Sequence, residues 1–183
     1  MKKKNNETIE RHPQLIVVFG LPGSGKSTFA ERLSAATDAR LINSDVIRED
    51  FLLRGKYTES AKEKVYTEML KIAMEAIKNG DSVILDGTYY KESLRQKISY
   101  TAQVMHLIPH FIEVKADEEV IRERISRKRE KSDAGYDVYL KIREQFEPMC
   151  DYHLIVHSDA QAPEEMLTEA LLFIGIYHEA TRD

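Results

Sequence analysis

The sequence predicts a three-layer α/β domain, a mainly parallel five-stranded sheet covered by helices on both faces. Three observations carry that reading. Short β-rich runs alternate with helical patterns along the chain. The first run, Gln14 to Gly20 (QLIVVFG), is continuously apolar, as a strand buried on both faces must be. The 183 residues, 42% hydrophobic and 32% charged, suit one compact domain with no repeat or linker to divide them.

Each element has its own warrant. After the first strand, Lys26 to Ala36 reads as a helix with Phe29, Leu33 and Ala36 on one side. Arg40 to Asn43 (RLIN) is a second, shorter strand. Val65, Met69, Ile72, Ala73, Ala76 and Ile77 keep helical spacing until Gly80 stops the helix. Ser82 to Gly87 (SVILDG) is a third strand, and Lys91 to Met105 a helix with Leu94, Ile98 and Ala102 along one face. His110 to Val114 is a fourth strand, followed by Asp117 as N-cap of a helix with Glu118 and Glu119 in its first turn. His153 to His157 is the fifth strand. Pro163 opens the last helix, with an apolar stripe of Met166, Leu167, Ala170, Leu171 and Ile174. Right-handed crossovers then place successive strands parallel.

Composition sets bounds on function. A net charge of −4 argues against holding duplex DNA through a broad basic surface, though not against a local basic groove. The single cysteine, Cys150, forbids an internal disulfide and points to a reducing compartment. Residues 1–13 carry no signal-peptide core, and the first apolar run is too short to cross a bilayer. The expectation is a cytoplasmic protein with a flexible, solvated segment at 1–13 and no membrane or required protein partner.

Between the first strand and its helix lies GLPGSGKST, Gly20 to Thr28, which fits G-x-x-x-x-G-K-[ST] in the required strand–loop–helix setting. Glycines let the loop fold tightly, so that backbone N–H groups from Gly23, Ser24, Gly25, Lys26, Ser27 and Thr28 face phosphate oxygens. The helix start adds its positive end. Lys26 suits the β- and γ-phosphates of ATP, and the Ser27 hydroxyl suits Mg²⁺.

Ligands in open α/β sheets sit beyond the carboxyl ends of the strands. The second and third strands end at Asn43-Ser44-Asp45 and Asp86-Gly87-Thr88, which puts both carboxylates on the phosphate side. Asp86 follows an apolar run and suits a Mg²⁺ ligand or a group that orients the acceptor; a simple helix cap is the alternative. Asp45 has the chemistry of a general base, and Arg48, three residues on, the fork geometry to grip a phosphate or carboxylate. The alternative for this pair is an N-cap aspartate with a surface arginine one turn away.

Arg122, Arg124, Arg127, Lys128 and Arg129 form a basic helical run, which on charge alone fits a solvated face. It is interrupted from Ser132 to Gly135, and a second helical pattern follows from Tyr136 to Phe146. Helix, loop and helix with arginines on the first arm is the build of a closing lid, here about 122–148, and Arg124 or Arg127 then stabilises transferring charge. The pairs His106/His110 and His153/His157 lack the cysteines or helical H-E-x-x-H setting of a metal site.

Taken together, GLPGSGKST, INSDVIRED and ILDGTYYKESLR resemble the P-loop kinases related to the 5′-kinase domain of polynucleotide kinases, a group with zeta-toxin-like and small ATP-dependent members. The resemblance covers roughly Leu15 to Pro148. It implies a P-loop NTPase fold and assigns Lys26 to the phosphates, Ser27 to Mg²⁺, and Asp45 to the base. It further places Arg48, Asp86 and Arg95 on the acceptor side, with a lid arginine between Arg124 and Arg129. One departure stands out: the family often has Asp-x-Thr-Asn where this chain has Asp86-Gly87-Thr88-Tyr89. The activity so implied is phosphoryl transfer from ATP to a hydroxyl, with single-stranded nucleic acid and a small metabolite or antibiotic both open as acceptors. A nucleotide-dependent ATPase or switch acting on a protein partner is the other reading.

Overall fold

The computed structural model describes residues 12–51, 58–127 and 135–175. Its strands are β1 (Leu15–Phe19), β2 (Arg40–Asn43), β3 (Val83–Asp86), β4 (His110–Lys115) and β5 (Leu154–His157). They form one sheet in the order β2-β3-β1-β4-β5. Every pairing among them is parallel, so the sheet is wholly rather than mainly so. The helices are α1 (Lys26–Thr37), α2 (Ser44–Asp50), α3 (Glu59–Lys78), α4 (Glu92–Val104), α5 (Glu118–Arg127), α6 (Tyr136–Glu144) and α7 (Pro163–Phe173).

The pleat of β1 divides the core in two. Leu15, Val17 and Phe19 face α3 and α4, joined there by Val65, Met69, Ala73, Ile98 and Ala102. Ile16 and Val18 face α1 and α7, where Phe29, Ala30, Leu33, Met166 and Ala170 meet them. All five β1 residues are buried, which explains the unbroken apolar run. Each such side chain contributes about 1.5–3 kcal/mol of transfer free energy, so this strand anchors both layers.

Two details of the helices differ from expectation. Ala36 is exposed; Asp38, in a left-handed conformation, ends α1, and Ala39 fills that end of the core instead. α2 is a separate helix of two turns between β2 and α3, read from sequence only as a motif. Of the segments expected to be flexible or lid-forming, residues 1–11 and 128–134, including Lys128 and Arg129, lie outside the described residues.

The strand order reverses at β1. The chain runs from β1 to the β2 edge, returns through β3, then crosses to β4 and β5. That reversal opens a crevice at the carboxyl ends of β1 and β3. The register sets Val18 beside Asp86 and Asp86 beside Asn43, so the ends of three strands converge there.

Candidate active site

The loop after β1 is shaped by its glycines. Gly20, Gly23 and Gly25 all have positive φ, and Gly25 is the left-handed N-cap of α1. At Gly25 a Cβ would lie 3.0 Å from Ser158 Oγ, and at Gly20 it would collide with the Val114 carbonyl at 2.4 Å. Ser24 is fully buried, and its carbonyl accepts the Ser158 hydroxyl at 2.5 Å. Arg124 on α5 donates to Ser158 Oγ at 2.8 Å, to the Ser158 carbonyl at 2.9 Å and to the Gly23 carbonyl at 3.4 Å. α5 and the end of β5 thereby brace the loop from outside.

Asp86 closes the floor. It is fully buried at the end of β3, where Oδ2 accepts the Asn43 side-chain amide at 2.5 Å. Oδ1 has no hydrogen-bond partner among the described residues. Burial raises the Asp86 carboxyl above the ordinary range, against the pull of the Lys26 ammonium and Ser27 hydroxyl and with an added push from Asp45. A buried carboxylate oxygen with an open lone pair, next to a P-loop serine, fits a Mg²⁺ hydration shell. These are the residues that would hold the ion. The alternative of Asp86 as a plain helix cap does not fit, since it ends β3, bonds across to Asn43 of β2, and leaves the N-cap of α4 to Lys91.

Asn43 does two jobs that the sequence reading missed. Its Oδ1 accepts from the backbone N–H groups of Asp45, at 2.8 Å, and Val46, at 3.2 Å, capping α2. Its amide meanwhile fixes Asp86. Asp45 is therefore not the cap: it sits exposed in the first turn of α2 and lines the cavity. Nor is Arg48 a surface residue. It is 7% exposed and lines the same cavity. The capping alternative for this pair is overturned on both counts.

The cavity measures about 660 Å³. Its lining includes Gly23, Gly25, Lys26, Ser27 and Thr28 of the loop together with Asp45, Arg48, Lys62, Tyr66 and Thr88. Arg124 and Arg127 reach it from α5, and Val138 and Ile142 from α6. Arg127 is exposed and paired with Glu123 at 3.0 Å. Glu118 clasps the two helices by accepting from Tyr136 and Arg143.

Arg95 requires a correction. The structure does not bring it to the cavity. Its guanidinium is buried and donates to the carbonyls of Tyr89 at 2.8 Å, Glu147 at 2.8 Å and Pro148 at 3.3 Å, above the Phe19 ring. It ties the chain after α6 to the start of α4, a structural task in place of the expected acceptor contact. Burial lowers its pKa.

The departure at Gly87-Thr88-Tyr89 also has a physical form. Tyr89 turns inward at φ +40, packs its ring 4.6 Å from that of Tyr66, and points its hydroxyl at Met69. A Cβ at Gly87 would come within 2.9 Å of the Tyr89 ring. Thr88 is left facing the cavity, its hydroxyl 2.7 Å from that of Tyr66. Burial pushes the Tyr66 phenol up, which keeps it neutral. Tyr66, Lys62, Thr88 and Ser158 were not anticipated; the positions of Thr88 and Ser158 just past strand ends were the available signal.

A nucleotide-type loop, a buried carboxylate beneath it and a second carboxylate across one cavity define a P-loop phosphotransferase. Residues 15–149 match the family model described as an AAA domain; the chain belongs to that family and is a P-loop kinase domain. It is similar to the shikimate kinase of Corynebacterium diphtheriae, 28% identical over 172 residues that cover 87% of this chain and 94% of that one. The bifunctional polynucleotide phosphatase/kinase of Schizosaccharomyces pombe is 27% identical over 111 residues, 61% of this chain but 23% of the relative. The crystal structure of a sugar kinase from Janibacter superposes with a TM-score of 0.74 at 20% identity, covering 90% of this chain and 95% of that one, a likeness of fold. The enzyme class is kinase. Among the described residues no helix is long and apolar enough to cross a membrane.

Proposed function

We propose that this chain transfers the γ-phosphoryl group of ATP to a hydroxyl of a small acceptor. The observation that carries this is a single cavity holding the phosphate loop and the Asp45–Arg48 turn together. At about 660 Å³ it is of ordinary ligand-pocket size yet must take both substrates, which favours a compact acceptor over a polynucleotide. The likeness to the shikimate kinase along nearly its whole length, and the acidic net charge, support the same choice.

The chemistry follows from the side chains. Loop N–H groups and Lys26 hold the β- and γ-phosphates in line. When bound through Ser27 and Asp86, Mg²⁺ neutralises phosphate charge. Asp45 takes the proton of the acceptor hydroxyl as its oxygen bonds to the γ-phosphorus. The bond from that phosphorus to the β–γ bridging oxygen breaks, and ADP leaves. Arg48 steadies the acceptor. Arg124, already against the loop, and Arg127 stabilise charge on the transferring group. Of the lid expected at about 122–148, the described parts are α5 and α6, joined through the Glu118 clasp, and they carry these arginines and the apolar Val138 and Ile142 to the cavity.

The test is transfer from γ-labelled ATP with Mg²⁺ to a panel of small hydroxyl compounds and to a 5′-hydroxyl oligonucleotide, with Asp45→Asn alongside. Label on a small compound, lost in the variant, supports the reading. Label on the oligonucleotide alone would replace it with a polynucleotide kinase. Slow hydrolysis with no labelled acceptor would favour the ATPase or switch.

A further inference from the structure

The acceptor end of the cavity carries a positive feature beyond the Asp45–Arg48 turn. Lys62, on α3, lines it with its side chain only 13% exposed. Its ammonium donates to Tyr90 Oη at 2.8 Å and Glu59 Oε1 at 3.1 Å, over the Tyr90 ring. An ammonium has three donors, so one remains for a ligand. Glu59 does not cancel this charge. Its other oxygen is taken by Lys91 at 2.7 Å, so two ammonium groups share one carboxylate. Of these three groups one positive charge is in surplus, at a cavity that Arg48 also lines.

The surroundings select an orientation for what binds there. Tyr66 lies one helical turn beyond Lys62 on α3 and also lines the cavity, its hydroxyl paired with that of Thr88. Each hydroxyl of that pair retains acceptor or donor capacity toward a ligand. Asp45 faces the same cavity. A compound with an anion at one end and a hydroxyl at the other satisfies both poles. Its anion meets Lys62 and Arg48, and its hydroxyl meets Asp45.

We infer that Lys62 determines acceptor specificity by binding an anionic group, so that the acceptor is a small hydroxyl compound bearing a carboxylate or a phosphate. This rests on the proposed kinase reading. Glu59, Tyr90 and Lys91 position the ammonium, and Thr88 and Tyr66 complete the wall. Neutral polyols then bind weakly, because they offer no anion to the remaining donor of the Lys62 ammonium in a partly desolvated site.

The experiment uses the full chain saturated with Mg²⁺ and a non-hydrolysable ATP analogue, which occupies the phosphate loop. Inorganic phosphate and acetate are titrated by calorimetry into the wild type, Lys62→Met and Lys62→Arg. A charge-assisted hydrogen bond corresponds to roughly a tenfold to hundredfold change in affinity. Lys62→Met is expected to lose that much, and Lys62→Arg to recover most of it, with nucleotide affinity and melting temperature recorded for each. Preference for phosphate or for acetate identifies which anion the acceptor carries. Anion binding equal in the wild type and Lys62→Met overturns the inference, as does no anion binding to nucleotide-saturated wild type. Displacement of the anion by a 5′-hydroxyl oligonucleotide that also takes up label from γ-labelled ATP in the transfer assay overturns the small acceptor. Failure of the wild type to bind the nucleotide analogue would instead refute the kinase reading, so the two failures are distinguishable.

Discussion

Asp86→Asn should make this protein more stable while disabling it. Asp86 is fully buried, with one oxygen held by Asn43 and the other without a hydrogen bond among the described residues. Burial raises its folded-state pKa above the ordinary value of 3.8. A raised folded pKa stabilises the fold only below the unfolded value, and that contribution disappears as pH rises through the folded one. Once ionised, the buried carboxylate is therefore a cost, held in place for the cation it would bind. Asparagine keeps the size and the oxygen toward Asn43, and it carries no charge into the buried site. An unsatisfied buried polar oxygen costs about 1–3 kcal/mol, so the expected gain is about 1–2 kcal/mol. For a chain of this length that is a rise of about 2–8 °C in melting temperature. Scanning calorimetry of both proteins across pH would show it, with the difference shrinking as pH falls and the wild-type carboxyl takes its proton. Saturating Mg·ATP should reverse the order, since ligand at a hundredfold over Kd adds about 2.7 kcal/mol to the form that binds it. An asparagine variant less stable at neutral pH, or equally shifted at every pH, would refute the idea that this carboxylate is strained in favour of a cation.

Other changes probe other parts of the site. Asp45→Asn should lower kcat about 10²–10⁴-fold with ATP affinity retained, read by steady-state kinetics beside nucleotide calorimetry. Gly25→Ala should cost about 1–3 kcal/mol and weaken ATP binding, because φ is +91 and the new methyl meets Ser158; unchanged nucleotide affinity would contradict the cradle geometry. Arg95→Met should destabilise by about 2–4 kcal/mol in urea unfolding, through three lost carbonyl contacts, yet leave the acceptor KM of the folded protein unmoved. The Lys91 ion pair, assisted by Lys62 and Tyr90, holds the Glu59 carboxyl down at about 2. Its stabilisation is complete above the ordinary value of 4.5 and lost as pH falls toward 2, so Glu59→Gln should flatten the acid limb of melting temperature against pH. Burial, with donation to Glu59, pushes Tyr90 up to about 12, and its contribution fades between 10 and 12.

The layers of this fold were legible because burial leaves a periodic mark. β1 must be apolar at every position, and α3 must be apolar every third or fourth, so their sequences show no competing pattern. α1 was read one position wrong at its end, since a left-handed Asp38 and an inward Ala39 belong to a turn that leaves no periodicity. The same distinction separates Lys26, whose loop has a local sequence rule, from Arg95, whose partners lie at Glu147 and Pro148, some fifty residues away. An arginine at a plausible spacing says nothing about which carbonyls a later segment will offer it.

Asn43 shows why the most informative part of the site was half read. In sequence it is a polar residue at a strand end, next to a carboxylate with better-known chemistry. In the fold, parallel register sets it beside Asp86, and the start of α2 points Asp45 and Val46 N–H groups at its side chain. One amide thus connects the carboxylate that would serve the cation to the helix that carries the candidate base. Losing it should disturb both Mg²⁺ and acceptor kinetics, where a plain cap would affect stability alone. Asn43→Ala separates these outcomes. A cap loss by itself costs about 0.5–2 kcal/mol. If the cation requirement stays as in the wild type and only the melting temperature falls, the bridge from Asn43 to Asp86 has no part in the chemistry. If the concentration of Mg²⁺ needed for half-maximal transfer rises together with the acceptor KM, the two halves of the cavity are joined through this residue.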